Sequence, residues 1–263
     1  MMKKILAVLL AALMLLTLAA CGNKDVKDED GDTVINLGVQ ILTEPAPNGG
    51  TFTYDYLSST TVVITDFTGN DEPHELVIPA TIDGKTVAAI GEEAFYACSN
   101  IASLVLPEGL TTIGAYAFAN CEVLTTVSFP STLTTVEKGA FYSCDTLSEL
   151  KLGATALKTV GDNAFADCVA LTGVTFPSTL TAVGDIAFLN CTALESITLP
   201  EGVSEVGAQA FYNCTAVTSL TLPASLETIG SWAFNPMARD LADEALVLPA
   251  GSYAEEHINT FRK

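Results

Sequence analysis

The chain has 263 residues and is acidic, with 31 Asp and Glu residues against 11 Lys and Arg residues and a formal net charge of −20. This charge repels phosphate backbones and anionic lipid headgroups, which argues against a nucleic-acid partner and against electrostatic attachment to a membrane. It also helps to keep an exposed, elongated protein soluble.

Residues 1–20 have the pattern of a secretory leader. Two early lysines precede an apolar run and then small residues, which is typical of a cleaved signal rather than a membrane span. The Leu18-Ala-Ala-Cys21 ending resembles the lipobox of bacterial lipoproteins. That resemblance implies that Cys21 is acylated, becomes the mature N-terminus and anchors the protein to the outer face of a membrane. The alternative is an ordinary cleaved signal in which Cys21 has no role.

Residues 21–50 are predicted to be an acidic, flexible tether. Charged residues, Pro and Gly are frequent in this stretch, and its low apolar content argues against a packed core. An acidic cluster at 28–32 is similar to the start of a calcium-binding loop, but the twelfth loop position, which needs a bidentate Glu, holds Val39. The sequence therefore favours a solvated linker over a calcium site.

The segment 51–90 is rich in residues that favour strands. Phe52, Tyr54 and Tyr56 alternate with polar residues, and Asp83-Gly84 lies between two apolar segments, as in a hairpin. The first turn of a stacked structure has no neighbour on one side and needs a cover. We therefore assign residues 51–90 to an N-terminal β cap.

A repeat dominates residues 91–234. The dipeptide Ala-Phe recurs, and its Phe is followed three positions later by Cys in all copies but the last. The Phe residues are 23 positions apart except for one step of 24, and they are Phe95, Phe118, Phe141, Phe165, Phe188, Phe211 and Phe234. The Cys residues are Cys98, Cys121, Cys144, Cys168, Cys191 and Cys214. A fixed period in this range predicts a solenoid, in which each repeat buries its apolar face by stacking on its neighbours.

Each repeat is predicted to be one turn of a flattened coil. An apolar residue, usually followed by Gly, leads into the Ala-Phe and Cys positions, and a run such as Leu194–Pro200 follows. In that run Leu194, Ile197 and Leu199 are predicted to point inward, and the alternation indicates a short strand closed by Pro. Stacked strands are expected to form one parallel sheet with a spacing of about 4.8 Å between turns.

The pattern Ile-Gly-x-x-Ala-Phe-x-x-Cys-x-x-Leu-x-x-Val-x-Leu-Pro resembles the BspA-type leucine-rich repeats of bacterial surface proteins. The resemblance covers residues 76–234, with two departures: Lys151–Thr155 lacks the closing Pro and holds the extra residue, and the stretch after Phe234 lacks the Cys. It implies a right-handed leucine-rich-repeat solenoid of about seven repeats, with a parallel sheet, that presents a binding surface. It names no ligand.

Residues 235–263 are assigned to a short, partly helical C-terminal cap. Asp240–Ala245 is predicted to form a short helix and Leu246–Pro249 a further strand. Ser252 and Glu255 have the spacing of a capping box at the start of a terminal helix. The ending also resembles the closing segment of the same family, so the chain is expected to be complete.

Six repeat cysteines in an exported protein would ordinarily suggest disulfides. These cysteines occupy one column, however, so their Cβ atoms are expected to lie about 4.8 Å apart, beyond the roughly 3.5–4.5 Å of a disulfide. We therefore expect free, buried thiols that pack as small apolar side chains, with disulfides as the alternative. Metal ligation is not expected, because no CxxC pair occurs and no histidine is near the column in sequence.

No catalytic constellation is apparent in the sequence. The only histidines, His74 and His257, fall in opposite caps, and nucleophilic catalysis needs a base within reach of the nucleophile. Motifs for a nucleophile elbow, a phosphate-binding loop or a zinc protease do not occur. A pair of catalytic carboxylates is left open. The sequence predicts a protein that is not an enzyme and has no cofactor.

The outward positions of the predicted strands form the candidate binding surface. They carry mostly Ser and Thr with one charged pair, which suits an extended peptide or a glycan bound through many weak hydrogen bonds. The candidates are Ser103, Thr126, Ser128, Glu149, Lys151, Thr175, Ser196, Thr198, Ser219 and Thr221. The alternative is that Ser and Thr simply suit exposed strand positions.

These features lead to the hypothesis of a lipid-anchored, monomeric protein on the bacterial surface that binds a protein of a host matrix or of a neighbouring cell. One alternative is a structural spacer of the envelope without a dedicated ligand. A second is a glycan-binding lipoprotein. The adhesive role follows from the family resemblance, not from composition or spacing.

Overall fold

The computed structural model of the protein describes residues 42–47, 49–69, 72–237 and 241–261, with the backbone alone at 258–261. The predicted leader, Cys21, the acidic cluster and most of the predicted tether lie outside these residues. Within the described part, the chain forms a parallel β-solenoid of about eight turns of roughly 23 residues, with very little helix.

Each turn of the repeat region contributes two short strands, one on each side of the coil. The strands are β1 Leu42–Pro45, β2 Thr51–Tyr56, β3 Thr61–Thr68, β4 His74–Val77, β5 Thr81–Ile82, β6 Lys85–Ile90, β7 Ile101–Val105, β8 Thr112–Ile113, β9 Thr126–Ser128, β10 Thr135–Val136, β11 Glu149–Lys151, β12 Thr159–Val160, β13 Gly173–Thr175, β14 Ala182–Val183, β15 Ser196–Thr198, β16 Glu205–Val206, β17 Ser219–Thr221, β18 Thr228–Ile229 and β19 Leu246–Val247.

The longer sheet lies on the side of the coil that the sequence did not predict. It has 11 strands in the order β1-β2-β3-β6-β8-β10-β12-β14-β16-β18, with β5 paired to β6. From β8 to β18 its strands have two residues each, which is too short to show the alternation by which strands are recognised. Stacked turns pair these segments because the backbone N–H and C=O groups of one turn face those of the next. The expectation of a single parallel sheet is therefore wrong.

The predicted strands form the opposite side of the coil, where they are divided among three smaller sheets. These sheets have the orders β4-β7-β9, β11-β13 and β15-β17-β19. All their pairs are parallel. We call this side the strand face. The predicted strands are confirmed, and their continuity is not.

The N-terminal cap begins earlier than the sequence indicated. Strand β1 falls within the segment assigned to the tether, and it pairs antiparallel with β2, which pairs antiparallel with β3. Strand β3 then pairs parallel with β6 and so joins the cap to the solenoid. The predicted hairpin is confirmed, because Ile82 pairs with Lys85 around Asp83 and Gly84, which both have positive φ angles. Tyr56 departs from the expected alternation and is 48% exposed.

A continuous stack of Phe rings fills the centre of the solenoid. From Phe95 to Phe234, successive rings lie with centroids 4.8–5.6 Å apart and planes inclined by 1–16°. Every ring of the column is buried. Phe67 and Phe52 of the cap continue the stack beyond Phe95 at tilted angles. The period of the sequence thus becomes a column in space, and each ring is covered by the turns on both sides.

The corner of the coil around each Phe is a tight turn with left-handed backbone two positions before and two positions after the ring. The residues with positive φ at these corners are Glu93, Ala97, Tyr116, Asn120, Gly139, Ser143, Asn163, Asp167, Ile186, Asn190, Gln209, Asn213 and Trp232. Gly139 is the one Gly among them. A Cβ atom there would collide with the ring of Tyr116 from the preceding turn.

The extra residue of the irregular repeat is absorbed where the closing Pro is missing. Thr155 is buried there, and its hydroxyl donates to the Leu152 carbonyl at 2.8 Å. The Thr155 amide donates to the same carbonyl at 2.9 Å. A local turn therefore replaces Pro, and the Phe column continues without interruption.

The C-terminal cap contains a 3₁₀ helix at Asp243–Ala245, strand β19 and the helix α1, Tyr253–Phe261. Strand β19 covers the last solenoid strand β17. The Ser252 hydroxyl accepts a hydrogen bond from the Glu255 amide, while the Glu255 carboxylate accepts one from the amide of Gly251. The predicted cap of α1 is confirmed, except that Glu255 contacts Gly251 instead of the Ser252 amide.

Candidate binding surface

We call the ten predicted candidates on the strand face the hydroxyl strip. They flank one residue in each strand that points into the core, such as Leu104, Ile197 and Leu220, and these three are buried. Thr126 and Thr198, in contrast, are exposed. The predicted inward and outward positions are therefore confirmed. The alternation places two outward side chains on either side of each core residue.

The register of the three sheets decides which strip residues lie side by side. Ser103 pairs with Thr126 in the first sheet, and Lys151 pairs with Thr175 in the second. In the third sheet Ser196 pairs with Ser219, and Thr198 pairs with Thr221. Strands β9 and β11 are not paired, and neither are β13 and β15. The hydroxyl strip is thus three short blocks rather than one continuous ribbon.

Most hydroxyls of the strip make no hydrogen bond within the described part of the chain. Thr175 is an exception, because its hydroxyl donates weakly to the Leu150 carbonyl at 3.4 Å. Other hydroxyls of the solenoid behave differently: those of Thr125 and Thr134 donate to backbone carbonyls one turn earlier, at 2.8 and 3.0 Å. The solenoid therefore uses one set of hydroxyls to join its turns and leaves the strip set available. The strip members without such bonds are Ser103, Thr126, Ser128, Ser196, Thr198, Ser219 and Thr221.

A depression of about 400 Å³ lies at the N-terminal part of the strip. Five of the ten strip residues line it: Ser103, Thr126, Ser128, Glu149 and Lys151. Lys151 forms an exposed ion pair with Glu149 at 2.8 Å, and this hydrogen bond raises the pKa of Lys151. The other five predicted residues do not line this depression.

Sequence reasoning missed two residues of the depression, Glu75 and Phe129. Glu75 lies in β4, which is part of the cap and carries no repeat signature. Phe129 stands at the end of β9, where most other turns have a buried aliphatic residue. The replacement of Leu by Phe at this position was the available signal.

A second, shallow depression of about 610 Å³ lies on the 11-stranded sheet. Acidic residues line it, but two of them are already engaged. Asp162 accepts a hydrogen bond from the Asp185 amide at 2.9 Å, and Asp185 accepts one from the Ala208 amide at 2.7 Å. These carboxylates join successive turns. Within the described ranges, no group of three or more His, Cys, Asp or Glu side chains is placed to hold a metal ion.

Five cysteines of the column are free and buried, as predicted. Each thiol donates to the carbonyl of the Phe one turn earlier, at 3.2 or 3.3 Å. Burial raises the pKa of Cys121, Cys168 and Cys214 to about 12. Cys98 is also buried but is disulfide-bonded, so the expectation of a free thiol is wrong at this one position. Of the chain's seven cysteines, Cys21 lies outside the described residues.

The two histidines are far apart in the fold. His74 begins β4 instead of lying in a loop, and its Nδ1 lies 3.0 Å from the Glu72 carbonyl. His257 lies on α1, where its ring stacks on Tyr253 with centroids 4.0 Å apart. Each histidine thus contacts its own cap.

None of the helices in the described residues is both long enough and apolar enough to cross a bilayer.

Comparison with protein families and solved structures follows this geometry. The sequence matches the BspA type leucine rich repeat region in six copies, over residues 74–193 and 158–239. The chain is similar to a leucine-rich repeat protein of T. pallidum, with 28% identity over 76% of this chain and 80% of that one and a TM-score of 0.53. Comparison with curated protein sequences gives no significant match.

Two longer proteins share the fold. A leucine rich cell surface protein from Faecalibacterium prausnitzii is 24% identical over 72% of this chain, with a TM-score of 0.55. A leucine-rich repeat protein from Eubacterium ventriosum is 25% identical over 66% of this chain, with a TM-score of 0.52. The chain spans 56% and 50% of these two proteins, respectively.

Proposed function

Because the chain belongs to the family of BspA-type leucine-rich repeat proteins, we propose that it is a binding protein of the bacterial surface that contacts a partner protein through the hydroxyl strip. The solenoid is the scaffold, and the strip is the part of it that meets the partner. The protein acts as a monomer.

The observation that carries this proposal is the row of strip hydroxyls without internal hydrogen bonds. Ser196, Thr198 and Ser219 lie on adjacent paired strands, and their hydroxyls remain able to donate and accept. A hydroxyl brings one donor and two acceptor lone pairs, so a row of them matches the amides of an extended chain. Thr134, whose hydroxyl is bonded to the backbone of the preceding turn, cannot contribute in this way without losing that bond.

The charge of the protein indicates the kind of partner. A formal net charge of −20 speeds encounter with basic surfaces and repels acidic ones. Patches of Lys and Arg on a matrix protein or on a neighbouring cell's proteins have the complementary sign. We therefore expect binding to weaken as the salt concentration rises.

Two strip variants and one control test the proposal in a secreted chain that carries Cys21→Ser. Thr126→Lys and Thr198→Lys place a positive charge in the strip, and Thr215→Lys places the same charge at an exposed position outside it. We expect the strip variants to lose binding to matrix proteins and the control to retain it. Equal binding by all three would place the contact elsewhere. Binding only on a glycan array would indicate a glycan ligand, and no binding at all would indicate a structural spacer.

The surface location rests on the leader and on a lipid at Cys21. The printed name of the F. prausnitzii relative, a cell surface protein, accords with this location. Mass spectrometry of the mature protein from bacterial membranes should find an acylated N-terminal peptide, and Cys21→Ser should release the protein into the medium. A disulfide-linked peptide that contains Cys21 would contradict the anchor, because an acylated sulfur cannot form a disulfide.

The proposal includes no catalytic step. His74 and His257 each lie in a terminal cap, and no hydroxyl of the strip has a histidine partner among the described residues. Binding through many hydroxyls needs only a rigid array. The stacked turns of the solenoid supply that rigidity.

A further inference from the structure

The two breaks in the strand face coincide with two Phe residues at the ends of strands. We call the residue eleven positions after each column Phe the strand-end residue; the preceding cap strand ends in Ile78, and the later members are Leu106, Phe129, Leu152, Phe176, Leu199 and Leu222. The amides of the five aliphatic residues donate to a carbonyl of the next strand on this face at 3.0–3.1 Å. Within the described chain, the amides of Phe129 and Phe176 make no such bond. Strand pairing is missing just after these two residues, between β9 and β11 and between β13 and β15.

The size of the Phe ring explains the breaks. The aliphatic strand-end residues are buried, with at most 4% of each exposed. The rings of Phe129 and Phe176 are only partly buried and stand edge-on to the column rings of the next turn. The centroid of Phe129 lies 5.9 Å from that of Phe141 at 77°, and Phe176 lies 5.8 Å from Phe188 at 88°. A space that holds Leu does not accept a benzyl group, so the ring stays between the turns and keeps the strands unpaired.

The first break is also where the depression of about 400 Å³ lies. Its lining includes Thr126 and Ser128 on one side of the break, Glu149 and Lys151 on the other, and Phe129 between them. No residue of the second break lines it. Phe129 therefore occupies the one place where an unpaired strand end meets strip hydroxyls, charged side chains and a cavity.

Resting on the proposed function, we propose that Phe129 and the unpaired end of β9 form the specificity-determining site of the hydroxyl strip, and that this site takes an extended, basic peptide segment of the partner protein. The Phe129 amide offers a donor that no other strand uses. The hydroxyls of Ser103 and Ser128 offer further donors and acceptors beside it. An extended peptide presents alternating amides and carbonyls, which match such a row.

Charge and shape select the side chains of that peptide. Two carboxylates, Glu75 and Glu149, face the depression against the single ammonium group of Lys151. The local charge therefore has the same sign as the whole chain. The partly exposed ring of Phe129 can hold the aliphatic stem of a Lys or Arg and attract its charge. An acidic peptide would meet repulsion at the same place.

The test compares Phe129→Leu with the matched control Phe176→Leu in the secreted chain that carries Cys21→Ser. Both variants install the Leu found in other turns, so both are expected to fold. The probes are labelled hexapeptides of alternating Lys and Val or alternating Glu and Val, followed by fluorescence anisotropy. We expect the basic probe to bind, the acidic probe not to bind, and Phe129→Leu to weaken the basic probe at least about tenfold. Phe176→Leu should change its affinity by less than about twofold.

Hydrogen exchange supplies a second readout that does not depend on any ligand. Phe129→Leu should restore the hydrogen bond of its amide to the next strand, so exchange of the amide at residue 129 should slow markedly. In Phe176→Leu the same slowing should appear at residue 176 only. Unchanged exchange in both folded variants would overturn the role of the rings.

The outcomes separate this inference from the proposed function. If Thr198→Lys abolishes binding to matrix proteins while Phe129→Leu leaves the affinity unchanged, the strip binds but Phe129 does not determine its specificity. If the parent chain binds matrix proteins and ignores the basic probe, or binds the acidic probe equally well, the assigned ligand class is wrong. If the parent chain binds no matrix protein and no probe, the proposed function itself is wrong.

Discussion

At the scale of single residues, the cysteines show how one side chain can serve two purposes in a stacked fold. Each of the five free thiols fills space beside the Phe column and also donates to the carbonyl of the previous Phe. That carbonyl sits at a corner of the coil. Sulfur is a weak donor, but a neutral thiol is inexpensive to bury compared with a hydroxyl. A small residue without a donor would leave the carbonyl without this bond.

The raised pKa of these thiols makes the fold sensitive to alkaline conditions. An unfolded thiol ionises near pH ~8.5, whereas burial raises the pKa of Cys168 in the folded chain to about 12. Between these values the folded state binds more protons than the unfolded state, so the free energy of unfolding falls as the pH rises. The stabilisation is fully present below the unfolded pKa. Each such thiol lowers the free energy of unfolding by up to ~1.4 kcal/mol per pH unit within this window.

Urea unfolding from about pH 8 to about pH 10 measures this effect. Cys168→Ala removes one of the titrating thiols, so its free energy of unfolding should fall less steeply with pH than that of the parent chain. Tyr and Lys residues titrate identically in both proteins. Parallel curves for the two proteins would contradict a buried, neutral thiol at this position.

Ile186 is a second case in which a single residue carries a cost. Its φ angle is 50°, a left-handed value that a β-branched side chain tolerates poorly. The equivalent corner of the preceding turn has Asn163, which suits this conformation. Ile186→Asn should therefore raise the free energy of unfolding by about 1 kcal/mol. The same measurement on Ile197→Asn, at a buried strand position, should show a large loss; a loss for Ile186→Asn as well would mean that its contacts outweigh the strain.

At the scale of elements, the stack of rings supplies the packing that short strands cannot. The strands of the longer sheet within the repeats have two residues each, so few backbone hydrogen bonds hold any one of them. Every column ring, in contrast, is covered on both faces by rings or by a cap. Phe95 illustrates the N-terminal end: it lies between Phe67 and Phe118, with centroids 5.3 and 4.8 Å away. The cap therefore packs as closely as an internal turn.

Removing one ring should be costly wherever it lies in the column. Phe165→Ala deletes a fully buried ring between two others and should lower the free energy of unfolding by ~3–5 kcal/mol. Because Phe95 is equally enclosed, Phe95→Ala should cost a similar amount, contrary to the smaller loss expected for a loosely packed end. Thr198→Ala changes an exposed strip residue and should stay within about 0.5 kcal/mol. Chemical denaturation of the three variants gives the comparison, and similar losses from Phe165→Ala and Thr198→Ala would reverse the inward and outward assignment.

At the scale of the whole molecule, each turn contacts mainly its two neighbours. Strand pairs in the repeat region join residues 23 or 24 positions apart, such as Val183 with Val206 and Val136 with Val160. Stability in such a structure is a sum over turns and the contacts between adjacent turns. A whole turn is thus a unit that can be removed without changing the rest.

Deletion of residues 184–206 tests this modular character, because it joins Val183 directly to Gly207 and removes one period. We expect a folded protein with the same β-rich circular dichroism spectrum, a lower melting temperature and a smaller urea m-value, since less surface is buried. Deletion of 11 residues, 184–194, removes half a turn and should prevent stacking. Loss of folding in both proteins would contradict nearest-neighbour stacking. The depression beside Phe129 lies outside the deleted turn and should keep its affinity for the basic probe.

The sequence by itself determined the repeat, the buried Phe column, the free thiols of five cysteines and the direction in which the strip residues point. A fixed period is a one-dimensional signal, and the alternation of apolar and polar residues in Leu194–Pro200 states which side faces the core. Only the tertiary structure decided how neighbouring turns pair. Two-residue strands show no alternation, so the longer sheet was invisible, and the strand face was expected to be continuous. Whether β9 pairs with β11 depends on the fit of the Phe129 ring against Phe141 of the next turn, and that contact exists only once the turns have stacked.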